Sequence, residues 1–156
     1  ECPRYFDNEH LSINSMGLPN NGYKYYIDLI DNINSKDTKP YIISIAGLSL
    51  FDNKIIIKEI SNKINTLPDE KKIGIEINLS CPNIINKGQL AYDFNNMDIY
   101  LNSLFDNVEI SNFKMIGIKL PPYFELHQFK IVADIIKKYP IDFINLYSRT
   151  CIKNIM

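Results

Sequence analysis

The most constraining feature of the sequence is a strictly alternating run, Ile73-Gly74-Ile75-Glu76-Ile77-Asn78-Leu79. Successive side chains of a β-strand point to opposite faces, so the run predicts a strand with one apolar face. The opposite face carries only a glycine, a carboxylate and an amide. Pro82 ends the strand, and Cys81 lies on the loop just beyond it. In parallel α/β folds, the loops that follow the strands carry the chemistry.

Strands and helices alternate along the rest of the chain. Apolar residues at helical spacing predict helices at about residues 23–34, 53–65, 97–107 and 125–138. Tyr26, Leu29 and Ile30 lie on the apolar stripe of the first helix, and the fourth helix is expected to bury Phe129. Strands are predicted at about 41–47, 73–79, 115–120 and 142–147. Residues 1–22 are predicted to be mostly loop, because Gly17 and Pro19 interrupt any regular element. This order predicts a parallel sheet with right-handed crossovers.

One face of every predicted strand is small or polar. The residues on this inner face are Ser44, Ala46, Gly74, Glu76, Asn78, Gly117, Lys119 and Asn145. A doubly wound sheet is covered on both faces and needs apolar residues on both, so a (β/α)8 TIM barrel fits better. A complete barrel takes about 250 residues. We therefore expect an α/β fold in which residues 1–156 form the central four strands, with their helices, of a single barrel domain.

Composition excludes several classes of protein. The chain is 46% hydrophobic and 22% charged, and its net charge is −1, so nothing favours nucleic acid or an anionic membrane as a partner. Its apolar runs are shorter than the roughly 20 residues of a membrane span. Three scattered cysteines do not make a disulfide framework or a zinc site. The sequence thus predicts a cytoplasmic protein without a metal.

Cys81 is the first candidate for chemistry, because a thiolate can act as a nucleophile or a general base. Asn78 and Asn83 flank it and offer neutral hydrogen-bond donors and acceptors. The alternative is a buried cysteine that serves only as a small apolar side chain. A Cys–His hydrolase is disfavoured, because His10 and His127 are distant in the sequence.

Lys119 is the second candidate, because a charged side chain on an inner face needs a partner or a charged ligand. An ion pair with Glu76 and a role in stabilising a developing anion, such as a reduced flavin, are both consistent with its position. Residues 14–18 offer an amide side chain and turn N–H groups, although such a loop is more often only a turn.

Five ordered motifs resemble those of the class 1A, fumarate-linked dihydroorotate dehydrogenases. They are Ile13-Asn14-Ser15-Met16-Gly17-Leu18-Pro19-Asn20, Ser44-Ile45-Ala46-Gly47, Asn78-Leu79-Ser80-Cys81-Pro82-Asn83, Gln89-Leu90-Ala91-Tyr92-Asp93-Phe94 and Lys119-Leu120-Pro121-Pro122-Tyr123-Phe124. The resemblance extends to about Asn145. The first and fourth motifs favour class 1A over the NAD-linked class 1B.

The resemblance implies an FMN enzyme that oxidises dihydroorotate to orotate, with fumarate reduced to succinate at the same site, in de novo pyrimidine (UMP) synthesis. Cys81 would be the catalytic base, and Asn78 and Lys119 would contact the flavin. The loop 82–93 would cover the site, and the full-length protein would be a cytosolic homodimer. The substrate would be held by Asn14, Ser15, Met16, Gly17, Leu18, Asn78 and Asn83.

Some parts of the family pattern are not matched. The family's first two strands, and the phosphate-binding glycine loops of its last two, are expected to lie outside this sequence. Residues 148–151, Ser-Arg-Thr-Cys, replace an Asn-Ser pair and a glycine-rich turn, so no site residue is assigned there. Two alternatives stay open: a class 1B relative, which would need an iron–sulfur partner subunit, and an inactive barrel piece.

Overall fold

The computed structural model describes residues 5–10, 12–14, 19–32, 39–67, 73–80 and 89–146, with the backbone alone at 12–14. The α-helices in these ranges are α1 (Tyr23–Leu29), α2 (Leu50–Ile64), α3 (Phe94–Phe105) and α4 (Leu126–Ile136). The strands are β1 (Tyr5–Asp7), β2 (Ser12–Asn14), β3 (Tyr41–Ile45), β4 (Ile73–Asn78), β5 (Ile116–Leu120) and β6 (Phe143–Leu146). Short 3-10 turns lie at Ile30–Asn32 and Leu90–Tyr92.

Two sheets are built from these strands. β1 and β2 form an antiparallel pair, whereas β3, β4, β5 and β6 pair in sequence order and in parallel. Each strand of the parallel sheet is preceded by a helix. The fold is α/β, and it is the fold of four consecutive helix–strand units of a (β/α)8 barrel.

The outer face of the parallel sheet and the helices that cover it make the core. Ile75 and Ile77 of β4 and Ile118 of β5 are fully buried, and they face the buried Ile57 of α2 and Leu101 of α3 within one cluster. Burying one such side chain stabilises the fold by about 1.5–3 kcal/mol. This isoleucine-rich layer fixes which face of each strand is turned to the helices.

Side-chain caps fix where two of the helices begin. The Ser49 hydroxyl accepts a bond from the backbone N–H of Asp52 (3.1 Å) and donates to the Asp52 carboxylate (2.8 Å). At α4, the Gln128 side chain accepts from the backbone N–H of Glu125 (3.1 Å). Both contacts satisfy N–H groups that a helix start leaves without partners.

The four predicted strands of the parallel sheet agree with the structure to within about two residues at each end, and α2, α3 and α4 agree to within about three. The first helix was predicted to extend to residue 34, but α1 ends at Leu29 and a 3-10 turn continues to Asn32. Residues 1–22 were expected to be mostly loop, yet they contain the β1–β2 pair, whose three-residue strands are too short to show alternation. Tyr26 and Leu29 were predicted to face the core from the first helix, and both are exposed, whereas Ile30 is buried. Phe129 of α4 was likewise predicted to be buried and is exposed.

None of the helices in the described ranges has both the length and the apolar character that crossing a membrane requires.

Candidate active site

The inner face of the parallel sheet collects the polar residues that the sequence predicted for it. One row across the strands contains Ser44, Glu76 and Gly117, and the next row contains Asn78 and Lys119. The second row, which continues to Asn145 of β6, is nearer the carboxyl ends of the strands. Functional groups of barrel enzymes lie at that end.

Glu76 is the most buried charged side chain of this face, with 6% of its surface exposed. One carboxylate oxygen accepts from the Ser44 hydroxyl (2.8 Å), and the other accepts from the Asn145 amide (3.0 Å). These bonds join β3, β4 and β6 across the inner face. Among the described residues, the hydrogen bonds to Glu76 thus come from neutral donors, and the predicted alternative of a Lys119 ion pair finds no support in them.

The side-chain amide of Asn78 has a fixed orientation. Its Oδ1 accepts from both the backbone N–H (3.1 Å) and the hydroxyl (2.9 Å) of Ser80. A backbone N–H can only donate, so the atom it contacts must be the amide oxygen. The amide N–H₂ group of Asn78 is therefore the end that can donate to a ligand.

Lys119 lies directly beside Asn78, because the two residues are paired in register on neighbouring strands. Both side chains are half-buried. An amide donor and an ammonium group side by side at the carboxyl ends of two strands are suited to a planar ligand that carries carbonyl oxygens and negative charge.

Hydrogen bonds connect the described residues on either side of positions 81–88, which include Cys81. The side chain of Gln89 donates to the carbonyl oxygen of Ser80 (2.7 Å), and both residues are buried. The Ala91 N–H also donates to the Leu79 carbonyl (3.3 Å). Ser80 and Gln89, the described residues before and after positions 81–88, are thus joined to each other.

Two tyrosines that were not predicted as site residues join the chain after β4 to the chain after β5. The Tyr92 hydroxyl donates to the Pro122 carbonyl (2.7 Å), and the Tyr123 hydroxyl donates to the Ala91 carbonyl (2.9 Å). Their rings meet edge to face at 5.8 Å. Burial raises the pKa of Tyr123, so this hydroxyl stays protonated and keeps donating. The fourth and fifth motifs of the sequence resemblance therefore contact each other.

The inner face also contains apolar side chains towards the amino ends of the strands. A Cβ on Gly117 would overlap the ring of Phe143, and one on Gly74 would lie 2.6 Å from Met115 Cγ. Phe143 and Met115 were not predicted to lie on the inner face, although alternation along the strands places them on the same face as Asn145 and Lys119. The inner face thus changes from apolar to polar towards the carboxyl ends of the strands.

Most of the predicted site residues lie outside the described residues. These are Cys81 and Asn83, together with Ser15, Met16, Gly17 and Leu18. For Asn14 the structure describes only the backbone, which pairs with Tyr5 in the β1–β2 pair. Of the predicted site, the structure therefore brings together Asn78 and Lys119.

Comparison with known proteins decides the family. The family described as dihydroorotate dehydrogenase matches residues 1–156, the whole of this sequence. The chain belongs to the dihydroorotate dehydrogenase family. The barrel strands, with their polar carboxyl ends, are thus those of a dihydroorotate dehydrogenase domain.

Similar proteins carry the name dihydroorotate dehydrogenase A (fumarate). One, from Streptococcus agalactiae serotype Ia, is 44% identical over 145 residues, which are 92% of this chain and 43% of that protein. Another, from Streptococcus pyogenes serotype M18, is 42% identical over 144 residues, which are again 92% of this chain and 43% of that protein. The chain thus spans less than half the length of these relatives.

Proposed function

We propose that the chain supplies the central four strands of an FMN-dependent dihydroorotate dehydrogenase that uses fumarate as its electron acceptor. Its product, orotate, enters de novo pyrimidine (UMP) synthesis, its partners are dihydroorotate and fumarate, and the full-length protein is a cytoplasmic homodimer. The observation that carries the proposal is the oriented Asn78 amide beside Lys119, at the carboxyl ends of adjacent strands. Membership of the family supports the same reaction.

The described residues suit a flavin by their donor chemistry. The Asn78 amide group can donate to a ring carbonyl, and the Lys119 ammonium favours negative charge on a ring beside it. A bound flavin supplies a two-electron acceptor for the hydride that leaves C6 of dihydroorotate. Asn78 and Lys119 are the residues that would hold it.

Cys81 has the role of the general base in this proposal. Its thiolate takes the proton from C5 of dihydroorotate, and the loss of that proton and of the C6 hydride leaves the double bond of orotate. Asn14, Asn83 and the residues 15–18 hold the pyrimidine and its carboxylate. The Gln89 bond to Ser80 supports the proposal, because it joins the described residues before and after positions 81–88, two residues beyond Asn78.

Fumarate is favoured over NAD as the acceptor by two observations. The relatives with 42–44% identity carry fumarate in their names. The first and fourth motifs quoted above resemble class 1A rather than class 1B. An NAD-linked enzyme stays the competing hypothesis, and a comparison of the two acceptors separates them.

A chimera tests the proposal without depending on where this sequence begins and ends. The matching 145 residues of the Streptococcus agalactiae relative are replaced by those of this chain. We expect a yellow protein that oxidises dihydroorotate with fumarate and not with NAD. A folded chimera that is colourless and inactive would contradict the proposal.

The same chimera tests the role of Asn78. Asn78→Ala is expected to lower turnover with fumarate by about 10–100-fold, because a donor to the bound ring is lost. Asn102→Ala, on the exposed side of α3, is the matched control and should leave turnover unchanged. Equal activity of the two variants would show that the Asn78 amide has no role in the reaction.

A further inference from the structure

Glu76 carries a charge at a position where an uncharged side chain would cost less free energy. It is 6% exposed, and it lies one row before Asn78 and Lys119 on the inner face of the sheet. Removing a carboxylate from water is unfavourable unless another charge compensates for it. The reaction proposed above assigns no role to this side chain.

The contacts of Glu76 suit its ionised form. One oxygen accepts from the Ser44 hydroxyl and the other from the Asn145 amide, so each oxygen serves as an acceptor. An ionised carboxylate only accepts, whereas a protonated carboxyl group also has an O–H to donate. Both donors are neutral, so they orient the carboxylate without cancelling its negative charge.

The one basic residue on the described part of the inner face, Lys119, lies diagonally from Glu76. Glu76 is paired in register with Gly117 of β5, and Lys119 is two residues further along the same strand. Diagonal neighbours on one face of a sheet are about 7–8 Å apart. Opposite charges at that separation attract each other without a direct contact.

The surroundings of Glu76 strengthen this attraction. Phe143 of β6 is paired with Gly117 in the row of Glu76, and its ring occupies the place where a Cβ of Gly117 would lie. Beside an apolar ring and with little exposure to water, a charge is screened weakly. The field of the Glu76 carboxylate therefore extends to Lys119 and to a ligand that Lys119 contacts.

We propose that Glu76 is a positioning residue that sets how strongly the bound flavin holds electrons, an inference that rests on the proposed function. The carboxylate acts through Lys119. Its negative charge offsets part of the ammonium charge, so the site favours the electron-rich, reduced flavin less than Lys119 alone would.

This offset affects the two half-reactions in different ways. Dihydroorotate loses a hydride from C6 and a proton from C5, whereas fumarate takes up a hydride and a proton to become succinate. An ammonium group without the offset would favour the first half-reaction and slow the second, because electrons would be held more tightly on the flavin. Glu76 is therefore expected to assist the return of electrons to fumarate.

A purely structural role of Glu76 makes a different prediction. Its bonds with Ser44 and Asn145 join β3, β4 and β6, and their loss would loosen the site for both substrates. Both half-reactions would then slow together. A role of the charge instead shifts the reduction potential of the flavin and slows only its reoxidation.

Substitutions in the flavin-loaded chimera separate the charge from the bonds. Glu76→Gln removes the charge at nearly constant size, so we expect a more positive reduction potential and about 10-fold slower reoxidation by fumarate, with no slower reduction by dihydroorotate. Glu76→Asp keeps the charge on a side chain too short to keep both bonds unchanged. It should unfold at a lower urea concentration and yet retain nearly the potential of the parent chimera.

Two further variants complete the design. Glu76→Met is a second uncharged variant, which decides the test if Glu76→Gln does not fold, and its potential should shift in the same direction. Ser61→Ala is the control for lost stability, because the Ser61 hydroxyl of α2 accepts from the buried Asn112 amide (2.8 Å) outside the inner face. It should lower the urea midpoint and leave the potential and both half-reactions unchanged.

Equilibration with a reference dye measures the potential, and stopped-flow absorbance measures each half-reaction. An unchanged potential in the uncharged variants, an equal slowing of both half-reactions, or an equal shift in Glu76→Asp would overturn the role of the charge while the proposed function stands. A parent chimera that binds no flavin would overturn the proposed function, and this inference with it.

Discussion

Gly117 allows the ring of Phe143 to lie across the inner face of the sheet, in the row that also contains Ser44 and Glu76. We expect Gly117→Ala to lower the free energy of unfolding by about 1–3 kcal/mol, because the new methyl group overlaps the ring. This loss is larger than the stabilisation of about 0.5–1 kcal/mol that replacing a glycine in a strand by alanine otherwise gives. Urea unfolding measures the difference.

Phe143→Leu supplies the control, since a smaller side chain frees space above position 117. In a double-mutant cycle, Gly117→Ala should cost less in the Phe143→Leu background than in the wild type. Additive effects would mean that the two positions do not compete for the same space.

A charged contact connects α3 to the end of α4. Asp98 of α3 accepts from Lys138 (2.5 Å) and from the Tyr139 hydroxyl (2.5 Å). The hydrogen bonds from Lys138 and Tyr139 lower the pKa of Asp98. Burial and the Asp98 carboxylate raise the pKa of Tyr139 to about 12, so this tyrosine remains a donor at neutral pH.

Asp98→Asn should therefore destabilise the fold in a pH-dependent way. A carboxyl group whose pKa is lower in the folded state contributes stability above its unfolded pKa of about 3.9, and the contribution is lost as the pH falls through the folded value. The variant should unfold at a lower urea concentration than the wild type at pH 7. The difference between the two urea midpoints should become smaller below about pH 4.

Asp134→Asn is the matched control for Asp98→Asn. Asp134 lies 3.8 Å from Lys137, and both side chains are about three-quarters exposed. Because water screens this ion pair, its removal should change the free energy of unfolding very little. An equal effect of the two substitutions would contradict the connection of α3 to α4 described here.

Periodicity was sufficient to predict the four parallel strands and the face that each turns to the helices. It failed where a local contact or the end of the sheet decides the structure. The cap at Ser49 starts α2 three residues before the predicted position. Tyr26 and Leu29 follow the helical period but lie beside the open edge at β3, where no described element covers them.

The polar row with Asn78 and Lys119 was also predictable, because strand parity places both residues on the inner face. The contacts of Glu76 were not predictable. Asn145 reaches it from β6, two strands away. The hydrogen bonds from the Tyr92 and Tyr123 hydroxyls were not predictable either, because each joins residues that are far apart in the sequence.

At the scale of the whole molecule, we predict that the 156-residue chain alone neither binds FMN tightly nor oxidises dihydroorotate. The reason is that the family resemblance assigns the phosphate-binding glycine loops to strands outside this sequence. Titration of FMN fluorescence measures binding. A yellow protein after dialysis, or measurable oxidation of dihydroorotate, would contradict this prediction.

The reduction of bound flavin by dihydroorotate in the chimera described above, compared with its Cys81→Ala variant by stopped-flow absorbance, tests the central claim most directly. We predict that the variant keeps its flavin and that reduction slows by about 10²–10⁴-fold, because the base that removes the C5 proton is lost. Reduction at an unchanged rate, or loss of the flavin from the variant, would contradict the proposed role of Cys81.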